Sequence, residues 1–288
     1  MKGIFSALLT TFDKDGEINE AGLRQLVRHN IDNMKVDGLY VGGSTGEIFL
    51  VSFEEKKKIF EIVKDEAKDA IKLIAHVGSI NLTEAKELGK YATELGYNCL
   101  SAVTPFYYKF KFEEIKTYYN EIIEYTGNDM IVYSIPVLTG TSMTISQFEE
   151  LFENKKIIGI KYTSGDMYTL ERLRKKFPNH LLYNGFDECL LSASVLNVDG
   201  AIGSTFNLTA PMAQEILYLI ADGNVKKALE KQSLLNCFIE ESVSNDLYQT
   251  LKYILSIKGI DAGYCKKPFT KLNDIGIERA EEISRKYL

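Results

Sequence analysis

Along residues 3–221 of this chain, short apolar runs alternate with longer amphipathic stretches, and each run precedes its stretch. The runs have the length of buried strands, and the stretches have the spacing of helices with one apolar face. The eight predicted strands span residues 3–9, 38–43, 72–77, 99–103, 130–135, 157–163, 181–186 and 200–204. Because strands that alternate with helices pair in parallel, the pattern predicts an α/β protein.

Eight helices are predicted between and after these strands. They span residues 19–35, 52–68, 82–95, 112–125, 145–152, 168–177, 188–196 and 211–221. Several of their starts carry capping residues. Ser52 and Glu55 form the pattern of a capping box. Asn81 and Ser146 offer N-cap oxygens, and Pro211 suits a first helical turn.

Eight strand–helix units in about 220 residues are the scale of a closed (β/α)8 TIM barrel, and right-handed crossovers favour closure. An open doubly wound sheet is the alternative, but the glycine-rich dinucleotide or phosphate motif typical of it is absent after the first strand. We therefore predict a barrel over residues 1–222. Residues 223–288 are predicted to form a C-terminal three-helix extension that packs against the barrel and shapes a subunit contact. Its helical patterns span residues 225–241, 246–257 and 277–288.

Composition argues against several classes of function. The chain carries 34 basic and 40 acidic side chains without a basic patch, so nucleic acid is not an expected partner. No apolar run approaches the length of a membrane span and the N-terminus does not resemble a signal peptide, which predicts a cytoplasmic protein with no membrane partner. The four cysteines and three histidines are scattered, so no metal site is expected.

Lys161 lies near the end of the predicted strand 157–163, with no acidic residue beside it in the sequence. A period of two turns Lys161 to the face opposite its larger neighbours. Those neighbours are Ile158, Ile160 and Tyr162. Burial lowers the pKa of a lysine, and the unprotonated amine is the form that attacks a carbonyl to make a Schiff base. Two alternatives stay open: the side chain extends to solvent, or it pairs with a carboxylate from another element.

In a barrel, functional residues gather where the strands end. The second predicted strand ends in a glycine-rich loop, residues 42–47. Its backbone amides could hold a carboxylate; the alternative is a plain turn. Tyr133 in the fifth strand is positioned to pass a proton if it faces Lys161; the alternative is core packing. The aromatic loop at residues 104–108 is interpreted as a hydrophobic lid or a subunit contact.

Three motifs together resemble the pyruvate-dependent class I aldolases of the dihydrodipicolinate synthase and N-acetylneuraminate lyase family, and the resemblance covers essentially the whole chain. The motifs are Gly42-Gly43-Ser44-Thr45-Gly46-Glu47, Tyr133-x-x-Pro136 and Gly159-Ile160-Lys161. Residues 101–108, 161–166, 183–188 and 203–205 resemble the branch that cleaves N-acetylneuraminate. The synthases generally carry an arginine where this chain has Leu138, and an apolar side chain cannot supply the bidentate grip on a carboxylate.

The resemblance implies reversible cleavage of N-acetylneuraminate to pyruvate and N-acetyl-D-mannosamine. Lys161 would form an iminium with the C2 carbonyl, which serves as the electron sink, so no cofactor is expected. Tyr133 would be a proton shuttle oriented by Ser44, and Tyr107 from a neighbouring subunit of a homotetramer would complete the relay. Backbone amides of Ser44 and Thr45 would hold the pyruvate carboxylate.

The resemblance also implies a binding site for the N-acetylmannosamine portion. Its expected residues are Thr163, Gly185, Asp187, Glu188 and Ser204. Asp187 and Glu188 would accept hydrogen bonds from adjacent hydroxyls. The alternative for this pair is an acidic cluster that offsets the dipole at a helix N-terminus.

Other functions stay open. Another pyruvate-dependent aldolase or a synthase of the same family would use Lys161 with a different acceptor. A catalytically silent barrel that only binds ligands would need neither Lys161 nor Tyr133. A phosphate-gripping loop at residues 200–205 is disfavoured because the stretch contains no basic residue.

Overall fold

The computed structural model describes residues 1–288 and contains eight parallel strands that close into a barrel. The strands are β1 (Gly3–Ala7), β2 (Gly38–Val41), β3 (Lys72–His76), β4 (Cys99–Val103), β5 (Met130–Ser134), β6 (Ile157–Tyr162), β7 (Leu181–Asn184) and β8 (Gly200–Gly203). Each strand pairs with the next in chain order, and β8 pairs with β1 to close the ring. The predicted (β/α)8 architecture is confirmed.

Helices follow every strand. They are α1 (Glu20–Asp32), α2 (Phe53–Ala67), α3 (Leu82–Glu94), α4 (Phe112–Thr126), α5 (Pro136–Thr139), α6 (Ile145–Leu151), α7 (Met167–Lys176), α8 (Leu190–Val195), α9 (Phe206–Ala221), α10 (Val225–Ser244), α11 (Leu247–Ile257) and α12 (Asp274–Tyr287). Short 3₁₀ turns lie at Ser44–Gly46, Ile48–Leu50 and Asp187–Cys189. The one-turn helix α5 was not predicted from the sequence, because four residues are too few to show a helical period.

The predicted N-caps are confirmed at α2 and α3, whereas at α6 the predicted start at residue 145 is correct but the predicted N-cap, Ser146, is wrong. Ser52 and Glu55 form a capping box, and the Asn81 side chain accepts hydrogen bonds from the first turn of α3. At α6 the N-cap is Thr144, two residues before Ser146. Thr144 is the N-cap in place of Ser146 because Gln147 follows it by three residues and completes a capping box.

Pro211 was predicted in the first turn of its helix, and this was wrong. The helix α9 begins at Phe206, so Pro211 lies inside it and cannot donate to the carbonyl of Asn207. Nε2 of His29 on α1 lies 3.0 Å from that carbonyl oxygen and replaces the missing donor. A partner from outside the helix therefore makes the internal proline tolerable, and no sequence pattern announces such a partner.

The barrel separates two apolar clusters. The larger, of 62 buried residues, lies between the strands and the surrounding helices, and the smaller, of 11, fills the barrel interior. On β6, Ile160 and Tyr162 pack outward as predicted and Lys161 lies inside. Ile158 departs from the predicted alternation and packs against the interior cluster, because a bulge interrupts the pairing of β5 and β6 at that residue.

The chain after α9 forms three more helices, as predicted, and they pack against the barrel. The helix α10 lies along α9, and α12 contacts both α10 and α11. Side chains of α10 and α11 reach the mouth of the barrel, among them Val243 and Leu247. The division at residues 222 and 223 stays a prediction. No helix has both the length and the apolar character needed to cross a bilayer.

We predict that His29→Phe lowers the free energy of unfolding by about 1–3 kcal/mol, because the buried carbonyl of Asn207 loses its partner. Urea unfolding measures the change. The matched control is the same substitution in a Pro211→Ala background, where the restored amide of residue 211 can donate to Asn207 within the helix. The cost of losing His29 should shrink there, and equal costs in the two backgrounds would contradict this account.

Candidate active site at the mouth of the barrel

A cavity of about 210 Å³ opens where the strands end, at the face where barrel enzymes carry their sites. It brings together side chains from six strand ends and from the helices α10 and α11. The predicted site residues among its walls are Ser44, Thr45, Tyr133, Lys161, Thr163, Gly185, Asp187, Glu188 and Ser204. Tyr107 is the one predicted site residue that does not line it.

Lys161 is buried near the end of β6, with 5% of its surface exposed. Its Nζ lies 4.0 Å from the ring centre of Tyr133 and 4.3 Å from that of Tyr40. It neither reaches solvent nor pairs with a carboxylate, so neither structural alternative for this lysine applies. Burial lowers its pKa to about 7, and the negative charge of Asp187 partly opposes this shift. A large share of the amine is therefore unprotonated and nucleophilic at neutral pH.

Tyr133 lies directly beside Lys161, because β5 and β6 pair these two residues in register. Burial raises the pKa of its phenol to about 12, and the neighbouring hydroxyls of Ser44 and Thr163 partly offset the rise. The phenol is therefore protonated at neutral pH. It lies where it can exchange a proton with a group bound to Lys161.

The loop after β2 forms the tight turn that its glycines predicted. It begins with Gly42 at a φ of 76° and continues as the 3₁₀ turn Ser44–Gly46. The amides that open such a turn, those of Ser44 and Thr45, are the ones for which the turn itself has no acceptor. The hydroxyls of Thr45 and Ser204 lie 2.7 Å apart, which joins this loop to the one after β8.

A buried ion pair between Glu47 and Lys252, which the sequence analysis did not predict, holds the same loop in place. Glu47 is buried in a left-handed conformation, and Oε1 lies 2.5 Å from Nζ of Lys252 on α11. Its Oε2 accepts a hydrogen bond of 2.6 Å from the backbone amide of Lys266. Lys252 also donates to the carbonyl of Tyr264. The C-terminal extension thus holds the site loop in place. The lysine within the otherwise mostly apolar run Leu251-Lys252-Tyr253-Ile254-Leu255 was the available signal.

Asp187 and Glu188 lie at the cavity but in different surroundings. Asp187 is buried, and its Oδ2 accepts hydrogen bonds from the backbone amide and hydroxyl of Thr205, at 2.9 and 2.6 Å. Burial raises its pKa to about 6 in spite of these bonds. Glu188 is exposed. Both residues also begin the 3₁₀ turn before α8. The pair therefore lies at a helix N-terminus and in the cavity wall at once.

The remaining predicted residues differ in their access to the cavity. The Thr163 hydroxyl is buried without a hydrogen-bond partner, which leaves it free for a ligand. Gly185 lies against it, and a Cβ at that position would overlap the hydroxyl. Leu138 lies at the rim and is mostly exposed. Tyr107 is 84% exposed on the loop after β4, so a single chain does not bring it to Lys161.

Several residues near the site were not singled out in the sequence. Tyr40 and His76 lie inside the barrel, where His76 contacts the carbonyl of Gly42 and the amide of Val103. Tyr248 on α11 lines the cavity. Tyr40 and His76 follow the inward period of β2 and β3, but no local pattern predicts that α11 reaches the mouth. No group of three or more His, Cys, Asp or Glu side chains is arranged to hold a metal ion.

We predict that Lys252→Met lowers the free energy of unfolding by about 3–5 kcal/mol, because it leaves the buried carboxylate of Glu47 unpaired. Adding Glu47→Gln should recover part of the loss. The control is Lys176→Met, which removes an exposed pair with Glu149 and should cost less than about 1 kcal/mol. Denaturant unfolding of the four proteins checks this, and a Lys252 variant as stable as the Lys176 variant would refute it.

Comparison with known proteins identifies the family. The model of the dihydrodipicolinate synthetase family matches residues 1–285. N-acetylneuraminate lyases of Fusobacterium nucleatum and Haemophilus influenzae are each 61% identical, over 100% of this chain and 99% of theirs. A crystal structure of CdNal from Clostridium difficile in complex with mannosamine is 59% identical, with a TM-score of 0.99 over 100% of this chain and 99% of that one. A Fusobacterium nucleatum N-acetylneuraminate lyase complexed with pyruvate is 60% identical, with a TM-score of 0.97 over 100% and 97%. The chain belongs to the dihydrodipicolinate synthetase family.

Proposed function

We propose that this chain is a carbon–carbon lyase that reversibly cleaves N-acetylneuraminate to pyruvate and N-acetyl-D-mannosamine through a Schiff base on Lys161. The observation that carries the proposal is the buried, unpaired amine of Lys161 beside the Tyr133 phenol. The full-length similarity to N-acetylneuraminate lyases supports the choice of substrate.

The amine of Lys161 acts as the nucleophile and replaces a cofactor. Its lone pair forms a C–N bond to C2 of the keto acid. The carbonyl oxygen leaves as water after it takes one proton from the nitrogen and a second proton from an acid other than the amine. The resulting iminium accepts the electron pair of the breaking C3–C4 bond and becomes an enamine. Protonation of C3 and hydrolysis then release pyruvate and restore the amine.

Tyr133 acts as the proton shuttle for the C4 hydroxyl. Because its phenol is protonated at neutral pH, it takes up the hydroxyl proton only while passing its own proton on. Ser44 is the neighbour that orients the phenol, and it receives this proton only while passing on its own. The proton released by this relay balances the one that C3 of the enamine takes up. Such a positioned acid–base group typically contributes about 10²–10⁴-fold to the rate.

The rest of the cavity is proposed to bind the two ends of the substrate. The amides of Ser44 and Thr45 would hold the carboxylate next to C2. The free hydroxyl of Thr163 and the exposed carboxylate of Glu188 suit the hydroxyls of N-acetylmannosamine. The remaining contacts to the sugar are assigned to Gly185, Asp187 and Ser204, with Asp187 also fixing the loop after β8.

We assign Tyr107 to the proton relay of a neighbouring subunit in a homotetramer. Its exposure, together with exposed Tyr108, Val137 and Leu138, leaves an apolar surface beside the cavity that a second chain would cover. The molecular mass of the particle in solution tests this assembly. A cytoplasmic location and a role in sialic acid catabolism also stay proposals.

We predict that pyruvate with borohydride adds one reduced pyruvyl group to Lys161, and that N-acetylmannosamine appears when the protein is given N-acetylneuraminate. Intact-mass and peptide mass spectrometry measure the adduct. Lys161→Ala should lose both results. Lys156→Ala, which removes an exposed lysine at the start of the same strand, should retain them. A protein that keeps its native mass would rule out the Schiff base, and an adduct without sialic acid cleavage would point to another acceptor within the family.

We predict that Tyr133→Phe lowers kcat for sialic acid cleavage by about 10²–10⁴-fold while the pyruvate adduct at Lys161 still forms, because proton transfer and not imine formation loses its group. Steady-state assays and borohydride trapping measure the two steps. The matched control is Tyr183→Phe, since that phenol bonds to the carbonyl of Met1 at the opposite end of the barrel. Unchanged turnover in the Tyr133 variant would remove it from the mechanism.

A further inference from the structure

Tyr40 contacts the reacting nitrogen from inside the barrel. It lies on β2, is fully buried, and is not part of the cavity wall. Nζ of Lys161 stands over the ring at 4.3 Å from its centre, and over the Tyr133 ring at 4.0 Å. The two rings meet edge to face, with centres 6.0 Å apart. The nitrogen therefore has two aromatic faces as close neighbours and no carboxylate partner.

The Tyr40 ring is held in this position by bonds that leave its face free. Its hydroxyl donates to Oγ of Ser101 at 3.0 Å, and that hydroxyl donates to the carbonyl of Ile131 at 2.8 Å. Gly43 makes room for the ring, because a Cβ there would lie 2.7 Å from Cε1 of Tyr40. Burial raises the pKa of the Tyr40 phenol well above its ordinary value, so the ring stays neutral. Its negative face is thus fixed toward Nζ.

Resting on the proposed function, we infer that Tyr40 is a catalytic residue whose ring face stabilises the positive charge of the iminium on Lys161. An aromatic face attracts a cation within about 6 Å, and most strongly where water is excluded. The attacking amine is uncharged, whereas the iminium formed from it keeps one hydrogen on nitrogen and carries a full positive charge. Tyr40 therefore favours the charged intermediate over the uncharged amine, which is the condition for an interaction to promote the reaction.

Such an arrangement resolves a conflict in the site. A carboxylate next to Nζ would stabilise the iminium but would also keep the resting amine protonated and unreactive. Aromatic faces attract any cation, the ammonium included, but more weakly than a full negative charge does, and they offer no site that could take up its proton. Asp187, the acidic group whose charge acts on Lys161, accepts hydrogen bonds from Thr205 instead. The barrel interior thus supports the cation while burial keeps the amine reactive.

The test is a fluorination series at position 40. Tyr40→Phe removes the hydroxyl and keeps the ring, and mono-, di- and trifluorinated phenylalanine then withdraw charge from the ring face with little change in size. Pyruvate is trapped on Lys161 with borohydride at about pH 9, where the resting amine is uncharged. We expect the pyruvate concentration for half-maximal trapping to rise with each fluorine, by about tenfold across the series.

The matched control is the same fluorinated series at Phe5, a fully buried ring in the same interior cluster that packs edge-on against Tyr183. Trapping there should not change. A flat series at position 40, in a protein whose unmodified form does trap pyruvate, would overturn the role of Tyr40. If the unmodified protein does not trap pyruvate at all, the Schiff base itself is refuted. Thermal melting identifies any unfolded member of the series, and the monofluorinated protein, which changes the ring least, then decides.

Discussion

The burial of one amine without a carboxylate partner is the constraint on which this site depends. Lys161 lies inside a closed ring of strands, where removal from water lowers its pKa to about 7. An open sheet would let a flexible lysine reach solvent, and an adjacent carboxylate would restore its charge. The closed barrel keeps Lys161 from solvent, and the rings of Tyr40 and Tyr133 occupy the space beside its amine that a carboxylate would need.

The same barrel spreads the parts of the site over distant segments of the chain. The proposed nucleophile is on β6, the proposed proton shuttle is on β5, and the turn proposed to bind the carboxylate follows β2. That turn is anchored by the buried pair of Glu47 and Lys252, so the C-terminal helices take part in the geometry of the site as well as in packing. Side chains of α10 and α11 complete the wall. Residues 223–288 are therefore structurally tied to the proposed chemistry.

Much of the site was predictable because its residues share simple local rules. The period of two in β6 turned Lys161 inward, and a glycine-rich run after β2 predicted a tight turn with free amides. The sequence failed where partners come from far along the chain. His29 supplies the donor to the Asn207 carbonyl that Pro211 cannot, and Asp187 accepts hydrogen bonds from Thr205 across two loops. Such contacts depend on three-dimensional proximity and leave no periodic pattern.

By itself, the sequence determined the alternation of eight strands with helices, and therefore the parallel barrel and the end of it at which polar residues gather. It also determined which lysine faces inward. Only the tertiary structure decided that this lysine has no carboxylate partner, that Tyr40 lies under it, and that Lys252 reaches Glu47. The physical reason is that local periodicity sets which way a side chain points, whereas its pKa and its partners depend on everything packed around it.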